Sequence, residues 1–239
     1  PISVTDSGFV AGQGANYTVT GTQTVVGSSD NTFTYTLTGG ALADNYDITT
    51  AYGTLTVSTR DVTVKITGKT DTKTYNRASQ SVTGYEVDYD YGSDVTYAGT
   101  PYSQSDFTFS GNATATGTDT GTYHMGLADN QFANTNPNFN PTFSVMTDGS
   151  LTITPITEPV NVYISGQKRT YAYDYQEHEA TGYTVDSIVG NALYTAADFT
   201  FSGSATVSGT NVNTYPMGLA ASQFANSNSN FTGGGTFHV

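Results

Sequence analysis

The chain has 239 residues with 20 acidic and 7 basic side chains, a net charge of −13, and neither cysteine nor tryptophan. So acidic a chain is repelled by nucleic acid and anionic membranes, whose recognition rests on Lys and Arg. Without cysteine there is no disulfide framework and no thiolate metal site. No run of about eighteen apolar residues exists to cross a bilayer as a helix. Thr, Tyr and Val favour strands while Gly, Asn and Asp supply turns, so an all-β fold with thin, tyrosine-filled cores is expected.

Residues 1–58 begin in a strand-like pattern, and "GTQTVVGSSDNTFTY" (21–35) leads to a short alternating strand, "YGTLTV" (52–57). The same alternation returns as "DGSLTI" (148–153), so 1–58 reads as the later part of a module whose first strands are missing. Residues 59–155 form a second module, opening on "DVTVKITG" (61–68) with Val62, Val64 and Ile66 on one face. Residues 156–239 repeat it. "PVNVYISG" (159–166) and "TGYTVD" (181–186) answer "DVTVKITG" and "TGYEVD" (83–88), and "DFTFSGSATVSGT" (198–210) answers "DFTFSGNATATGT" (106–118). "TYHMGLADNQFANTNPNF" (122–139) and "TYPMGLAASQFANSNSNF" (214–231) share thirteen of eighteen letters.

Self-similarity at such a period marks tandem modules. No counterpart of "DGSLTI" follows the second copy, so it is expected to lack its last strand and both ends fall inside repeats: either the domain boundaries are out of phase with this repeat, or the segment is trimmed, or an open edge accepts a strand from a neighbour. Turn signals recur every 8–12 residues, the spacing of an antiparallel sandwich. The only helical hint is "GLADNQF" and "GLAASQF", and the proline-bounded "TPITEP" (154–159) reads as a stiff linker.

The repeat also screens for chemistry, since a residue every module needs should occur in both copies. His124 becomes Pro216, and neither His178 nor His238 has a His counterpart, so no catalytic set is nominated and the chain is read as a non-enzyme. Asp106/Asp198 and the amides Gln131/Gln223, Asn134/Asn226, Asn136/Asn228 and Asn138/Asn230 are shared, and such groups commonly tie loops to their own backbone. Lys65, Lys69, Lys73 and Lys168 share no position, which argues against a common isopeptide cross-link.

Unshared loops are the better place to look for binding. "DYDYGSD" (88–94) brings Asp88, Asp90 and Asp94 together as a candidate calcium site of oxygen ligands, beside Tyr89 and Tyr91 as a stacking platform for sugar. "TYAYDY" (170–175) alternates tyrosines along an expected strand. Tyr173, with its counterpart Tyr75, reads as structural, while Tyr171 and Tyr175 are candidate glycan or partner contacts.

"TGYEVD", "DFTFSGNATATGTDTGTYHMGL", "QFANTNPNF" and "TDGSLTITP" resemble the MBG-type repeats of large bacterial cell-surface proteins, and residues 2–57 resemble the related YGX-type repeat. The resemblance covers nearly the whole chain and brings no catalytic residues. It implies a segment of a secreted, wall-anchored Gram-positive adhesin, extracellular and without a membrane-inserted part. The expected architecture is an elongated array of small Ig-like β-sandwich modules, with β-grasp-like modules as the alternative. The expected function is a structural stalk whose partners are its neighbouring modules. Two alternatives stand beside it: a glycan- or mucin-binding module, and a subunit of a self-assembling fibre built by strand complementation.

Overall fold

The computed structural model describes residues 8–93 and 99–239. Asp94, one of the three candidate calcium ligands, lies outside them. Among the described residues the fold is all-β, with several small separate sheets and no α-helix. The expected helical turns are single 3-10 turns, Asp129–Gln131 and Ala221–Gln223.

The front segment contains β1 (Gly14–Val19), β2 (Gly27–Asn31), β3 (Phe33–Thr38) and β4 (Gly53–Val57). The first copy opens with β5 (Arg60–Gly68), β6 (Thr70–Thr74), β7 (Gln80–Thr83) and β8 (Tyr85–Asp90). It continues through β9 (Phe107–Phe109), β10 (Thr114–Gly117) and β11 (Gly121–His124). β12 (Phe132–Asn134), β13 (Phe139–Thr147) and β14 (Ser150–Thr154) complete it. The second copy holds β15 (Asn161–Gly166), β16 (His178–Thr181), β17 (Tyr183–Val189) and β18 (Phe199–Phe201). Its last strands are β19 (Thr206–Gly209), β20 (Phe224–Asn226) and β21 (Thr236–His238).

Contacts divide the chain into two compact units: residues 1–66, 87–110 and 128–145, and residues 67–86, 111–127 and 146–239. The first contains β1–β4 with most of the sheet β13–β5–β8 and the pair β9–β12. Period-2 alternation buries Val62, Val64 and Ile66 of β5, and Tyr102, Phe107, Phe132 and Phe139 pack in the same unit. The second unit contains the sheet β11–β14–β6, the pair β7–β10 and the whole second copy. Its largest fully buried side chains are Phe231, Leu151 and Ile153 of β14, Val160 and Val162.

The expectation of antiparallel pairing holds for most ladders. β14, however, runs antiparallel to β11 and parallel to β6, and β15 runs parallel to β21. The close approach of the end of β5 to the residue before β14 needs two glycines. A Cβ on Gly68 would run into the backbone of Gly149, and one on Gly149 would strike the Met125 side chain. Two expectations for the second copy are overturned. Residues 170–175 form no strand, and Tyr173 is half exposed where Tyr75, packed against Phe231, is buried. In the expected "TPITEP" linker, Ile156 is buried and bridges in parallel to Phe231 of the second copy.

Candidate functional site

The repeated "QFANxNxNF" segment folds into an amide-lined loop whose bonds recur atom for atom. In the first copy the Asp106 carboxylate accepts from Ser103 N (2.8 Å), Ser103 Oγ (2.9 Å) and Asn136 Nδ2 (2.9 Å). In the second, Asp198 accepts from Thr195 N (2.7 Å), Thr195 Oγ1 (2.9 Å) and Asn228 Nδ2 (2.6 Å). Burial opposes ionisation of both carboxylates, yet these donors outweigh it and hold each pKa below the usual value. The aspartates thus close 3-10 turns, the scaffold role expected of them.

Tyr102 and Tyr194 complete the loop. Their hydroxyls lie 3.0 and 3.3 Å from the carbonyls of Asp106 and Asp198, and 2.9 and 3.1 Å from Oδ1 of Asn134 and Asn226. Burial, followed by the nearby aspartate charge, pushes both phenols up to about 12. This matched pair was missed in the sequence because each tyrosine sits in an otherwise divergent loop. Its signal was the constant spacing of four residues before the shared aspartate.

The last amide of each loop reaches outside its own copy. Asn138 Oδ1 accepts from Val26 N of the front segment (2.9 Å), while its carbonyl accepts from Arg60 N (3.0 Å). In the other unit, Asn230 Oδ1 accepts from Thr120 N of the first copy (2.7 Å), while its carbonyl accepts from Ile156 N (2.9 Å). Val26 and Thr120 each precede the glycine that opens β2 or β11, so one geometry is used twice. Asn230 Nδ2 adds a bond to Asp119 Oδ1 (3.0 Å).

The second joint is further reinforced. Tyr75 packs edge-on against Phe231, with ring centroids 5.7 Å apart, and the Arg77 guanidinium lies 5.8 Å above the same ring. Arg77 donates to the Leu193 carbonyl (2.8 Å) and pairs with Asp198. Arg77 adopts a left-handed backbone (φ 62°), unusual for a side chain of its size. Tyr175 at the equivalent position shows φ 67°.

The nominated binding residues fall elsewhere. Asp88, Tyr89 and Asp90 belong to β8 rather than to a loop. Asp90 bonds to Lys65 Nζ (2.8 Å) and Gly92 N (2.9 Å), and Asp88 accepts from Tyr89 N (3.0 Å). The Lys65 bond, foremost, lowers the Asp90 pKa. Among the described residues no three His, Asp or Glu side chains converge as metal ligands. Tyr89 packs edge-on against Tyr102, and the Tyr91 hydroxyl accepts from Tyr102 N (2.7 Å) beneath the Arg60 guanidinium.

Tyr171 stacks on His178 (4.2 Å between centroids), and its hydroxyl donates to the Glu179 carbonyl (3.1 Å). Tyr175 is 80% exposed. The three histidines stand apart, beside Asp148, Asp174 and Asn161 respectively. Comparison with protein-family models, curated proteins and solved structures finds no match for this chain.

Proposed function

We propose that this chain is a structural repeat segment, a stalk, of a secreted bacterial cell-surface adhesin. It would hold a more distal domain away from the cell and would itself be no enzyme. The observation supporting this reading is the twice-used joint, in which Asn138 and Asn230 each hold the preceding segment through the side chain while the carbonyl holds the first residues of their own copy. A rod needs every junction to have the same geometry, and a shared residue making the same two bonds supplies it. The extracellular, wall-attached setting rests on the resemblance to MBG-type and YGX-type repeats. The finer architecture we favour is small sandwich-type modules in an elongated array over β-grasp modules, since no α-helix packs on any sheet among the described residues. Small-angle scattering of the isolated segment tests the proposal. A stalk gives a cross-section one module wide and a maximum dimension that shrinks little with added salt, whereas a collapsed or freely jointed chain refutes it.

A second reading is supported by one observation: Tyr171 and Tyr175 are exposed by 50% and 80%. Exposed aromatic faces suit sugar rings, so a host glycan or mucin is the competing partner. A flat response of the segment on a mucin-type glycan array would eliminate it.

A further inference from the structure

The strand that closes the first copy is also the strand that leaves it. β14 pairs over Ser150–Thr154 with Thr70–Thr74 of β6 in parallel, and over Ser150–Ile153 with β11 on its other edge. Ser150 N donates to Lys69 O (3.1 Å) at one end of the parallel ladder, and Tyr75 N donates to Thr154 O (2.9 Å) at the other. The parallel sense persists beyond Thr154. Ile156 N donates to Asn230 O and Thr232 N to Ile156 O, both at 2.9 Å, and Thr236 N donates to Val160 O at the same distance. Asn161–Tyr163 of β15 then pair in parallel with Thr236–His238 of β21. The crossing from one copy to the next is therefore held alongside β6 first and residues 230–238 afterwards.

Parallel pairing decides how such a chain answers a pull. The chain enters β6 at Thr70 and leaves β14 at Thr154, at opposite ends of the pair. Tension along the chain draws β6 backward and β14 forward on a common axis, so the evenly spaced ladder bonds are strained together. Three features oppose the slide. Leu151 and Ile153 are fully buried, and a one-residue slip would turn them to the face that carries Thr152. The Asp148 carboxylate, accepting from Gly126 N (3.2 Å) and Leu127 N (2.9 Å), pins the start of β14. Gly68 and Gly149 lie so close that neither has room for a Cβ, which interlocks the chain just ahead of both strands. At the far end Tyr75 and Arg77, past the close of β6, pack on the Phe231 ring where the second parallel run begins.

We propose that the β6–β14 ladder is a force clamp. It carries tension along the chain while the first copy stays folded, and it fails only when its bonds break together and Leu151 and Ile153 leave the core in the same step. That tension acts on the protein in its natural setting rests on the stalk reading. The resistance itself belongs to the ladder and is measured without that reading.

The chain has no cysteine, so a pair of introduced thiols sets the pulling axis. The full chain with Lys69→Cys and Thr157→Cys, tethered through those thiols in optical tweezers, is pulled across opposite ends of the ladder. Lys69→Cys with Thr147→Cys pulls the neighbouring ends of the two strands apart instead. All three side chains are exposed, and matching denaturant midpoints confirm that both variants share one fold. The rupture force in the first geometry should exceed that in the second by about twofold or more, because ladder bonds then break together rather than one at a time. It should come as a single step releasing roughly 300 Å of chain between the tethers, at about 3.3–3.6 Å per residue. Equal rupture forces overturn the clamp, as does gradual lengthening at low force in the first geometry. Either result leaves the stalk to be judged by scattering, whereas a freely jointed chain in scattering refutes the stalk and leaves the clamp standing.

Discussion

Truncating Asn230 to alanine separates a joint residue from a loop residue. The substitution removes Oδ1 from Thr120 N and Nδ2 from Asp119, but leaves the main-chain bond from Ile156 N to the residue 230 carbonyl. Leaving a donor unpaired costs roughly 1–3 kcal/mol when it is cut off from water. Thr120 is only half buried, so the cost falls toward the lower end, and a range of 1–3 kcal/mol corresponds to about 5- to 150-fold in an opening equilibrium. Hydrogen-exchange mass spectrometry resolved to the Thr120 amide should therefore show faster exchange by about 5-fold or more, with Ile156 affected less. Asn138→Ala is the internal control. Its Oδ1 accepts from Val26 N, but no bond equivalent to that with Asp119 exists there, so its global stability loss should be the smaller of the two. Unchanged Thr120 exchange in Asn230→Ala, with uniform acceleration elsewhere, would show that the side chain serves only its own loop, and the joint would be refuted.

Arg77→Ala strips the partner from Asp198, whose side chain is 4% exposed, while Arg77 itself is 37% exposed. The full cost of breaking a buried pair is therefore discounted for solvent screening, to about 1–3 kcal/mol by denaturant unfolding. Gly68→Ala should destabilise by roughly 1–3 kcal/mol, because its Cβ meets backbone that β14 cannot yield. Gly166→Ala at the matched position meets only movable side chains, Leu219 at 3.1 Å and Met217 at 3.2 Å, and should change the melting temperature little. The neutral phenols of Tyr102 and Tyr194 have folded-state pKa values of about 12, above the unfolded value near 10. Their contribution is complete below about pH 10 and lost as pH rises through 12, amounting to roughly 2–3 kcal/mol per tyrosine. Replacing both by Phe should flatten the loss of stability between pH 10 and 12.

What the sequence disclosed was local. Alternation identified β5, β14 and β15, and comparison of copies marked Asp106/Asp198 and the loop amides as scaffold, a role their hydrogen bonds bear out. Pairing was not legible, because it depends on residues distant in the chain. Thr70–Thr74, "TDTKT", carries no apolar alternation and is a strand only because β14 lies beside it. "TYAYDY" has the better strand pattern and is none, since no strand among the described residues pairs with it. Asn138 and Asn230 were grouped with their loop neighbours because an amide's letter does not reveal which way it points. Asp88 and Asp90 looked like a loop cluster, but cross-strand bonding to Lys65 places Asp90 on a sheet.

Loop closure and joint are one network, and that coupling is itself open to test. The Asp198 carboxylate holds Asn228 Nδ2, Asn228 Oδ1 accepts from Asn230 N (2.9 Å), and Asn230 Oδ1 holds Thr120 N. Asp198→Ala removes the acceptor that fixes the Asn228 amide, and the loosened Asn230 should then hold Thr120 less firmly. Exchange at Thr120 should accelerate several-fold, while Val26, served by the parallel network from Asp106 through Asn136 to Asn138, should not change. Acid reproduces the perturbation without mutation. The Asp198 pKa is held below its unfolded value near 3.9, so its contribution is present above about pH 4 and lost as pH falls through the folded-state value. Protection at Thr120 should fall over the same acid range in the wild type and stay flat in Asp198→Ala. Equal acid sensitivity in both would mean that the carboxylate supports its own turn and nothing beyond it.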